Sequence, residues 1–593
     1  MTVKEMQWDL SQLVKSDEPD KIEKELDAAV VLVQKLHEKH AGKIANLDAK
    51  GVLGFLEESD DIELKIEGAI MYSRLMYQAD STTDLAKKLY DKFRRAYMLI
   101  EQSTVVLKIE LGRLLFEKPE IVQEPVIEEY KHYLEKILRE VPHMLSGEQE
   151  QLTIIKDKNG IRAWQMIQGD WLSTRKFDIE IEGKVKTMSY GEIVALYEHA
   201  DRDVRRLANH VVYESLGNDE ILWASAIRAV CADHIQMCKL RKHPAMTSQS
   251  LISNDLDQGT LDSLMKTIEK NVGVYQNYLK IKAKIMGFKK LGNWDIMAPL
   301  PNAPEMNYTW EEARNETVGA YTECDMEIGA WVDEMYERRH IDGEVRNGKR
   351  SGAFCATWHD GKSAYILQSF NGIIGDVYTQ AHELGHAAHA YLGTRAQKPS
   401  NYEIGACIAE VGSIFGELLL TERLLAKAKS KEEKQAILAT VLDGAGMAAF
   451  QVSARFFFEQ SMYDALKEGK FLDGNTVAAL WTAGRDKIYG DSVEWLPEMK
   501  WEWTMKVHYY MPNFRFYNYP YVFAQLFVYA LYRLYKEQGT EFVPKLKAIL
   551  SAGSSRSPRN LAADVGFDIT TEEFWQKGID QYAELIKMLE DAL

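Results

Sequence analysis

Residues 381–391 read AHELGHAAHAY and contain the pattern H-E-x-x-H. His382 and His386 stand four residues apart, and Glu383 follows the first histidine directly. Four residues make one helical turn plus about 40°, so on a helix both imidazoles project from one face and can bind one tetrahedral Zn²⁺ at about 2.0–2.1 Å. Glu383 is rotated by about 100° from His382, which leaves its carboxylate free to act on a water molecule. The stretch therefore predicts a zinc-binding helix.

Residues around the pattern support a helix. Asp376 can serve as its N-cap, and Gly393 can end it. His389 lies seven residues after His382, near the same face but almost two turns along the axis, which makes it a poor ligand for the same ion. A supporting position beside the ligands and simple packing both remain open for His389.

The third ligand must come from another segment, and the next apolar helix offers one. This helix is predicted over residues 406–427 and contains Glu410 among apolar neighbours, where an unpaired carboxylate would be costly to bury. Ligation of the metal explains Glu410. Glu417 lies seven residues on, hence on the same face, and can orient a ligand. A solvent-facing position is the alternative for both acids.

The rest of the chain reads as mainly α. Apolar residues recur at helical spacing in the first third, for example at Ile22, Leu26, Ala29, Val33 and Leu36. Alternating patterns predict one hairpin over 177–188 and another over 351–370, directly before the predicted zinc-binding helix. Ser189 begins a capping box that restarts helix, which predicts a division into an N-terminal helical lobe, 1–190, and a catalytic domain, 191–593. We therefore expect a helical protein with a small β-sheet beside the zinc-binding helix.

Composition limits the possible partners and compartments. The 593 residues include 72 Lys and Arg against 89 Asp and Glu, a net charge of −17, which speaks against nucleic acid as a partner. Five cysteines without a C-x-x-C pair favour a reducing compartment. Charged residues at Lys4, Glu5 and Asp9 interrupt any signal sequence, and the apolar window 521–532 falls short of the roughly 20 residues of a membrane span. The expectation is a cytoplasmic protein without a membrane or nucleic-acid partner.

The string HELGHAAH followed by AEVGSIFGELLL resembles the thimet-type zinc metallopeptidase family, and within it the bacterial oligoendopeptidase F group. Other stretches similar to that group cover nearly the whole chain, namely WDLSQL, GKRSGAF, HYYMPNFRFYNYP and GSSRSP with LAADVGFDITTEEFW. The resemblance implies a two-lobed, mostly helical endopeptidase with a deep substrate channel and a preference for short peptides. It also implies one zinc ion per chain, held by His382, His386 and Glu410, with Glu383 as the general base.

The same resemblance implies a histidine and a tyrosine on a later segment that face the substrate carbonyl. His508 matches the histidine. Tyr519 is the best match to the tyrosine, and Tyr517 is the close alternative because the local spacing differs slightly from the thimet branch. Phenol hydroxyls are good donors to a developing oxyanion.

Together these features predict a zinc-dependent endopeptidase that cleaves short oligopeptides. The strand over 363–370 is expected to accept the substrate backbone as an additional strand. One alternative is a metallocarboxypeptidase with the same ligand scheme, which would release C-terminal residues in sequence. A second is a non-catalytic, zinc-stabilised binding protein, but a structural zinc site needs a closed ligand shell and has no use for a base such as Glu383.

Overall fold

A computed structural model describes residues 3–301 and 303–593 of the chain. Helices make up 73% of it and strands 5%, which confirms the predicted mainly α fold. The helices of the first half are α1 (Pro19–His40), α2 (Ala49–Ala79), α3 (Asp84–Glu117), α4 (Lys131–Glu140), α5 (Gly147–Asn159), α6 (Ala163–Thr174), α7 (Tyr190–Ala195), α8 (Arg202–Asn218), α9 (Glu220–Leu240), α10 (Ser248–Ser253) and α11 (Gln258–Ile285).

The second half continues with further helices and with most of the short strands. The helices are α12 (Trp310–Cys324), α13 (Met326–Glu337), α14 (Ile374–Ala396), α15 (Ala406–Ala409), α16 (Val411–Lys427), α17 (Lys431–Gly446), α18 (Val452–Lys467), α19 (Gly474–Tyr489), α20 (Tyr519–Gln538), α21 (Val543–Ser551), α22 (Pro558–Asp564) and α23 (Glu572–Asp591). The strands are β1 (Lys176–Ile181), β2 (Lys184–Ser189), β3 (Leu291–Gly292), β4 (Ile341–Asp342), β5 (Phe354–Trp358), β6 (Ser363–Leu367) and β7 (Val493–Glu494).

The chain forms two compact units, and each unit is assembled from three separate stretches. Unit 1 comprises Met1–Val141, Glu305–Lys427 and Leu534–Gly566, and unit 2 comprises Pro142–Pro304, Ala428–Arg533 and Phe567–Leu593. The predicted division into 1–190 and 191–593 was drawn from the sequence pattern, whereas the two compact units are defined by contacts in space. The division stays a prediction. The substrate channel implied by the resemblance stays a prediction as well.

Both predicted hairpins are present. In unit 2, β1 and β2 pair antiparallel. In unit 1, three strands form a sheet in the order β4-β6-β5, with β4 parallel and β5 antiparallel to β6. β5 and β6 pack against α14, so the predicted sheet beside the zinc helix is confirmed. The predicted pairing of a substrate with the 363–370 strand is wrong, because β6 is central and flanked on both sides; the edge strands of this sheet are β4 and β5.

In unit 1, α14 and α16 meet backbone to backbone. A Cβ atom on Gly385 would lie 2.2 Å from the carbonyl oxygen of Gly412, and a Cβ on Gly412 would lie 2.2 Å from the carbonyl oxygen of Gly385. One turn further along α16, a Cβ on Gly416 would overlap the hydroxyl of Tyr321, which donates a hydrogen bond to Ala381 O (2.7 Å). Only glycine permits this approach, which brings the start of α16 beside the H-E-x-x-H face.

The ends of α14 differ from the prediction. Asp376 lies in the first turn rather than at the N-cap, and its carboxylate accepts hydrogen bonds from the backbone N–H groups of Asn371 (2.6 Å) and Ile373 (3.3 Å). Gly393 lies inside the helix, which continues to Ala396. A Cβ on Gly393 would lie 2.3 Å from the ring of Tyr402, so this glycine makes room for a tertiary contact and does not end the helix.

The last stretch of unit 1 returns to the C-terminal end of α14. The amide of Gln397 donates to Ser551 O in α21 (3.0 Å), and Ser554 N donates to Asn401 O (2.7 Å). α21 packs directly against α14. α14 is thus held by segments from the middle and from the end of the chain.

The described residues include one helical run that could span a membrane by length and composition alone. It covers Lys431–Lys467, which is α17, a π-helical turn at Met447–Gln451 and α18, and the sequence analysis did not single it out. Of its most apolar window, 67% is buried inside the protein, as in a core helix.

We expect Gly385→Ala to lower the free energy of unfolding by about 1–3 kcal/mol or more, because its Cβ meets backbone atoms that cannot turn aside. Urea denaturation of the purified protein measures this change. The matched control is Gly54→Ala in α2, where an added Cβ has open space. Alanine is favoured in a helix interior by about 0.5–1 kcal/mol, so the control is expected to be neutral or stabilised. Equal effects of the two substitutions would contradict the close contact.

Candidate metal centre and active site

Three side chains of unit 1 converge as the sequence predicts. His382 and His386 lie on α14, and Glu410 lies at the junction of α15 and α16. The Nε2 atoms of the two histidines are 3.2 Å apart, and Glu410 Oε2 lies 3.4 Å from each of them. They form a possible metal-binding group among the described residues.

These distances fit a tetrahedral metal. Two ligands that are each about 2.05 Å from a tetrahedral Zn²⁺ ion lie about 3.3 Å apart, in agreement with the three separations. The carboxylate of Glu417 contacts Nδ1 of His382 (2.6 Å), so Nδ1 is the donor and the lone pair of Nε2 points towards the other ligands. A cation placed between the three groups would satisfy all of them at this spacing. The donor set of two imidazoles and one carboxylate is one that zinc accepts.

Glu410 is positioned by a break in the predicted 406–427 helix. Residues 406–409 form α15, Glu410 itself leaves helical geometry with φ −82° and ψ 2°, and α16 starts at Val411. Ser413 Oγ donates to Glu410 Oε2 (2.7 Å), which fixes the carboxylate. Ser413 was not predicted from the sequence, although its spacing of three residues from Glu410 on a helix places the two side chains on one face.

Glu417 has the orienting position predicted for it. Its contact with His382 is confirmed, and it sets both the tautomer and the ring orientation of that ligand. Burial lowers the pKa of His382, but the neighbouring carboxylates, Glu417 foremost, outweigh burial and raise this pKa to about 9. The pKa of His386 is lowered, because burial there outweighs the carboxylate of Glu410.

Glu383 is the carboxylate beside the ligands. It is 6% exposed, and its Oε2 atom has no hydrogen-bond partner among the described residues. Burial raises its pKa to about 7, against the opposing effect of His382. Cys355 of β5 lies close enough for Glu383 to raise the pKa of its thiol, after the larger effect of burial. A carboxylate held in this state can both take up and release a proton near neutral pH.

His389 is not part of the ligand cluster. It is 2% exposed, and its Nε2 atom has no hydrogen-bond partner in the described part of the chain. Burial lowers its pKa to about 3, so the ring is neutral. Its Cβ atom lies 3.3 Å from the place where a Cβ of Gly412 would be. Its Cβ thus packs against the start of α16, and the choice between a supporting position and simple packing for its ring stays a prediction.

The predicted His508 and tyrosine lie in unit 2, on the segment between α19 and α20. The rings of His508 and Tyr517 stack with centroids 3.9 Å apart. His508 is half-buried, and burial lowers its pKa, as do nearby cations including Arg455. Burial raises the pKa of Tyr517 to about 12, so its hydroxyl stays protonated and can donate.

Tyr519, the preferred match from the sequence, lies in a different environment from Tyr517. It is fully buried, and its hydroxyl accepts hydrogen bonds from Ser250 Oγ (3.1 Å) and Asn254 Nδ2 (3.3 Å) of α10 and its C-cap. Its ring contacts Phe456 edge to face. These contacts favour Tyr517 of the two alternatives, and the role of either tyrosine stays a prediction.

Comparison with known proteins identifies the family. The sequence profile of peptidase family M3 matches residues 195–581, and an N-terminal profile described as oligopeptidase F matches residues 119–177. The chain belongs to peptidase family M3, and it is a metalloendopeptidase of the oligoendopeptidase F kind.

Individual relatives match nearly the whole of this chain. Oligopeptidase PepF of Bacillus subtilis is 25% identical over 594 residues, covering 99% of this chain and 87% of the relative. Group B oligopeptidase PepB of Streptococcus agalactiae is 25% identical over 601 residues, covering 99% and 96%.

Solved structures share the fold. A Chlamydophila abortus protein matches with a TM-score of 0.88 at 20% identity, covering 100% of this chain and 99% of that one. Oligoendopeptidase F of Enterococcus faecium matches with a TM-score of 0.68 at 22% identity, covering 97% and 98%.

We expect Glu417→Gln to weaken zinc binding by about 10–100-fold, because a neutral amide orients and polarises His382 less well than a carboxylate. Competition with a chelator of known affinity measures the change. The control is Glu422→Gln on the same helix, an exposed acid whose partner is Lys536. Unchanged zinc affinity in the Glu417 variant would contradict its orienting position.

Proposed function

We propose that this protein is a zinc-dependent endopeptidase that hydrolyses internal bonds of short oligopeptides. The observation that carries the proposal is the convergence of His382, His386 and Glu410 at tetrahedral spacing beside a buried carboxylate, Glu383, with a free oxygen atom. Membership in family M3 and full-length relatives named oligopeptidases support the reaction and the substrate class.

The chain's own residues would divide the work of hydrolysis. When bound, zinc supplies Lewis acidity that makes water more acidic and polarises a carbonyl. Glu383 takes the proton from the attacking water and later passes it to the leaving amine. Its free Oε2 atom and raised pKa suit both steps. Glu417 holds His382 in the tautomer that binds the metal.

The resemblance to the family adds a role for His508 and Tyr517. We propose that their side chains stabilise the oxyanion of the tetrahedral intermediate, since donors placed at a developing negative charge contribute strongly to rate. Tyr517 takes this role in place of Tyr519, which is fully buried with its hydroxyl beside Ser250 and Asn254 in the interior.

We further propose that the enzyme acts in the cytoplasm and needs neither nucleic acid nor a membrane. The acidic composition and the five cysteines, which include no C-x-x-C pair, support this. The test is fractionation of cells that produce the protein, with antibody detection in the soluble, membrane and exported fractions. Detection mainly outside the soluble cytoplasmic fraction would contradict this compartment.

The central test combines cleavage, metal and base in one experiment. Purified protein is incubated with peptides of graded length, and the products are identified by mass spectrometry. We expect internal cuts, loss of activity with a chelator and recovery with zinc. Glu383→Gln should lower kcat by about 10³-fold or more, because it removes the proton acceptor, and should retain its zinc.

Other outcomes point to the alternatives. Sequential loss of C-terminal residues would identify a carboxypeptidase. Absence of any cleavage by the zinc-loaded wild-type protein would leave a non-catalytic zinc protein. Cleavage that survives Glu383→Gln would rule out Glu383 as the base.

The choice between the two tyrosines has its own test. We expect Tyr517→Phe to lower kcat by about 10–100-fold with little change in KM, because it removes a donor to the oxyanion. Tyr519→Phe is the matched control. It removes a buried hydroxyl held by Ser250 and Asn254, and it should lower thermal stability while kcat stays near the wild-type value. The reverse pattern would restore Tyr519 to the active site.

A further inference from the structure

A fully buried ion pair lies behind the segment that carries His508 and Tyr517. In unit 2, Arg515 and Glu459 are 2% and 0% exposed at the side chain, with Nη1 and Oε1 3.7 Å apart. Burying two charges costs more than their attraction commonly returns, so such a pair is weak as a source of stability. Its hydrogen bonds show what it does instead.

The pair forms hydrogen bonds with the backbone of the 508–517 segment near both of its ends. The Arg515 guanidinium donates to Tyr509 O (3.2 Å) and to His508 O. The Glu459 carboxylate accepts from the backbone N–H of Phe516 (3.0 Å). Because His508 begins the loop and Phe516 directly precedes Tyr517, the two charged groups fix the backbone next to both rings.

The helix α18 makes further contacts with the 508–517 segment. Arg455, Glu459 and Tyr463 are spaced by four residues and therefore share a face. The hydroxyl of Tyr509 donates to Arg455 O (3.2 Å), and the ring of Tyr463 stacks on Phe516 with centroids 5.5 Å apart.

Phe516 shows that the segment is held in a demanding conformation. Its φ angle is +54°, a value that side chains other than glycine adopt rarely. Such a residue persists only where its surroundings over-determine it, and strained residues cluster at functional sites. The bond from Phe516 N to Glu459 and the stacking on Tyr463 supply that constraint.

We propose that Glu459 and Arg515 are positioning residues, whose buried pair sets the conformation of the 508–517 segment and with it the stacking of His508 on Tyr517. This inference rests on the proposed function, because it assigns the two rings to the transition state. Neither charged group touches the substrate. Their effect is to hold the two donor rings in place before the reaction. A displacement of these donors by about 1 Å can lower the rate by about 10²-fold.

A second buried pair in unit 2 provides a matched control. Lys282 Nζ lies 2.6 Å from Asp443 Oδ2, and the two side chains are 1% and 14% exposed. Asp443 accepts a hydrogen bond from Tyr278, and Lys282 donates one to Ile296 O. Neither partner belongs to the 508–517 segment. A change that merely breaks a buried ion pair can therefore be separated from one that frees the segment.

The kinetic test compares Glu459→Gln and Arg515→Lys with Asp443→Asn. We expect both segment variants to lower kcat by about 10²-fold with KM nearly unchanged, and to weaken a phosphinic peptide inhibitor that mimics the tetrahedral intermediate by the same factor. Asp443→Asn should lower Tm comparably and leave kcat and inhibitor affinity near wild type. Bound zinc is measured in each variant and should not change. If kcat in the segment variants falls no further than in Asp443→Asn, the proposal is wrong.

A spectroscopic readout does not depend on activity. Protein labelled with ¹³C at histidine Cε1 gives a resonance for His508 that is assigned by His508→Gln and shifted by the Tyr517 ring. Glu459→Gln should abolish this ring-current shift, whereas Asp443→Asn should keep it. A shift preserved in Glu459→Gln would overturn the proposal. If the wild-type protein cleaves no peptide, the proposed function fails, and this resonance still decides whether the pair sets the stacking.

A milder variant covers the case in which the charge variants do not fold. Glu459→Asp keeps the negative charge but shortens the side chain that accepts from Phe516 N. We expect a loss of kcat of up to about tenfold with a partial loss of the His508 ring-current shift, as for one hydrogen bond. A wild-type kcat and an unchanged shift in this variant would contradict the proposal.

Discussion

The site depends on the contact between Gly385 of α14 and Gly412 of α16. Glu410 stands two residues before Gly412, and His386 follows Gly385, so the closeness of the two backbones sets the distance between the carboxylate and the imidazoles. A metal accepts ligand distances only within about 0.2 Å of its preferred values. One methyl group between the helices would exceed that tolerance. Because backbone meets backbone, neither side has a flexible group that can move away.

The parts of the site that follow helical periodicity could be predicted from the sequence. The spacing of His382, Glu383 and His386 determines which side chains share a face, whatever the rest of the chain does. Glu410 and Glu417 could be predicted because carboxylates on an apolar helix need partners. The same signal marks Glu459 in the string RFFFEQ, a residue that was not predicted from the sequence.

The parts that depend on distant segments could not be predicted. Gly393 resembles a helix stop, but a glycine is needed there because the ring of Tyr402 leaves no room for a Cβ atom. The central position of β6 follows from β4, which has only two residues and leaves no alternating pattern. Tyr517 and Tyr519 cannot be distinguished by spacing, because the difference between them is made by Ser250 and Asn254, far away in the chain.

Because unit 1 is assembled from three stretches of chain, its parts are synthesised at different times. The candidate metal ligands leave the ribosome with the middle stretch, well before α21, which packs against α14 and accepts a hydrogen bond from Gln397. Contacts between such distant segments form late and slow folding. A nascent or truncated chain therefore lacks this support of α14 until nearly the whole protein has been made.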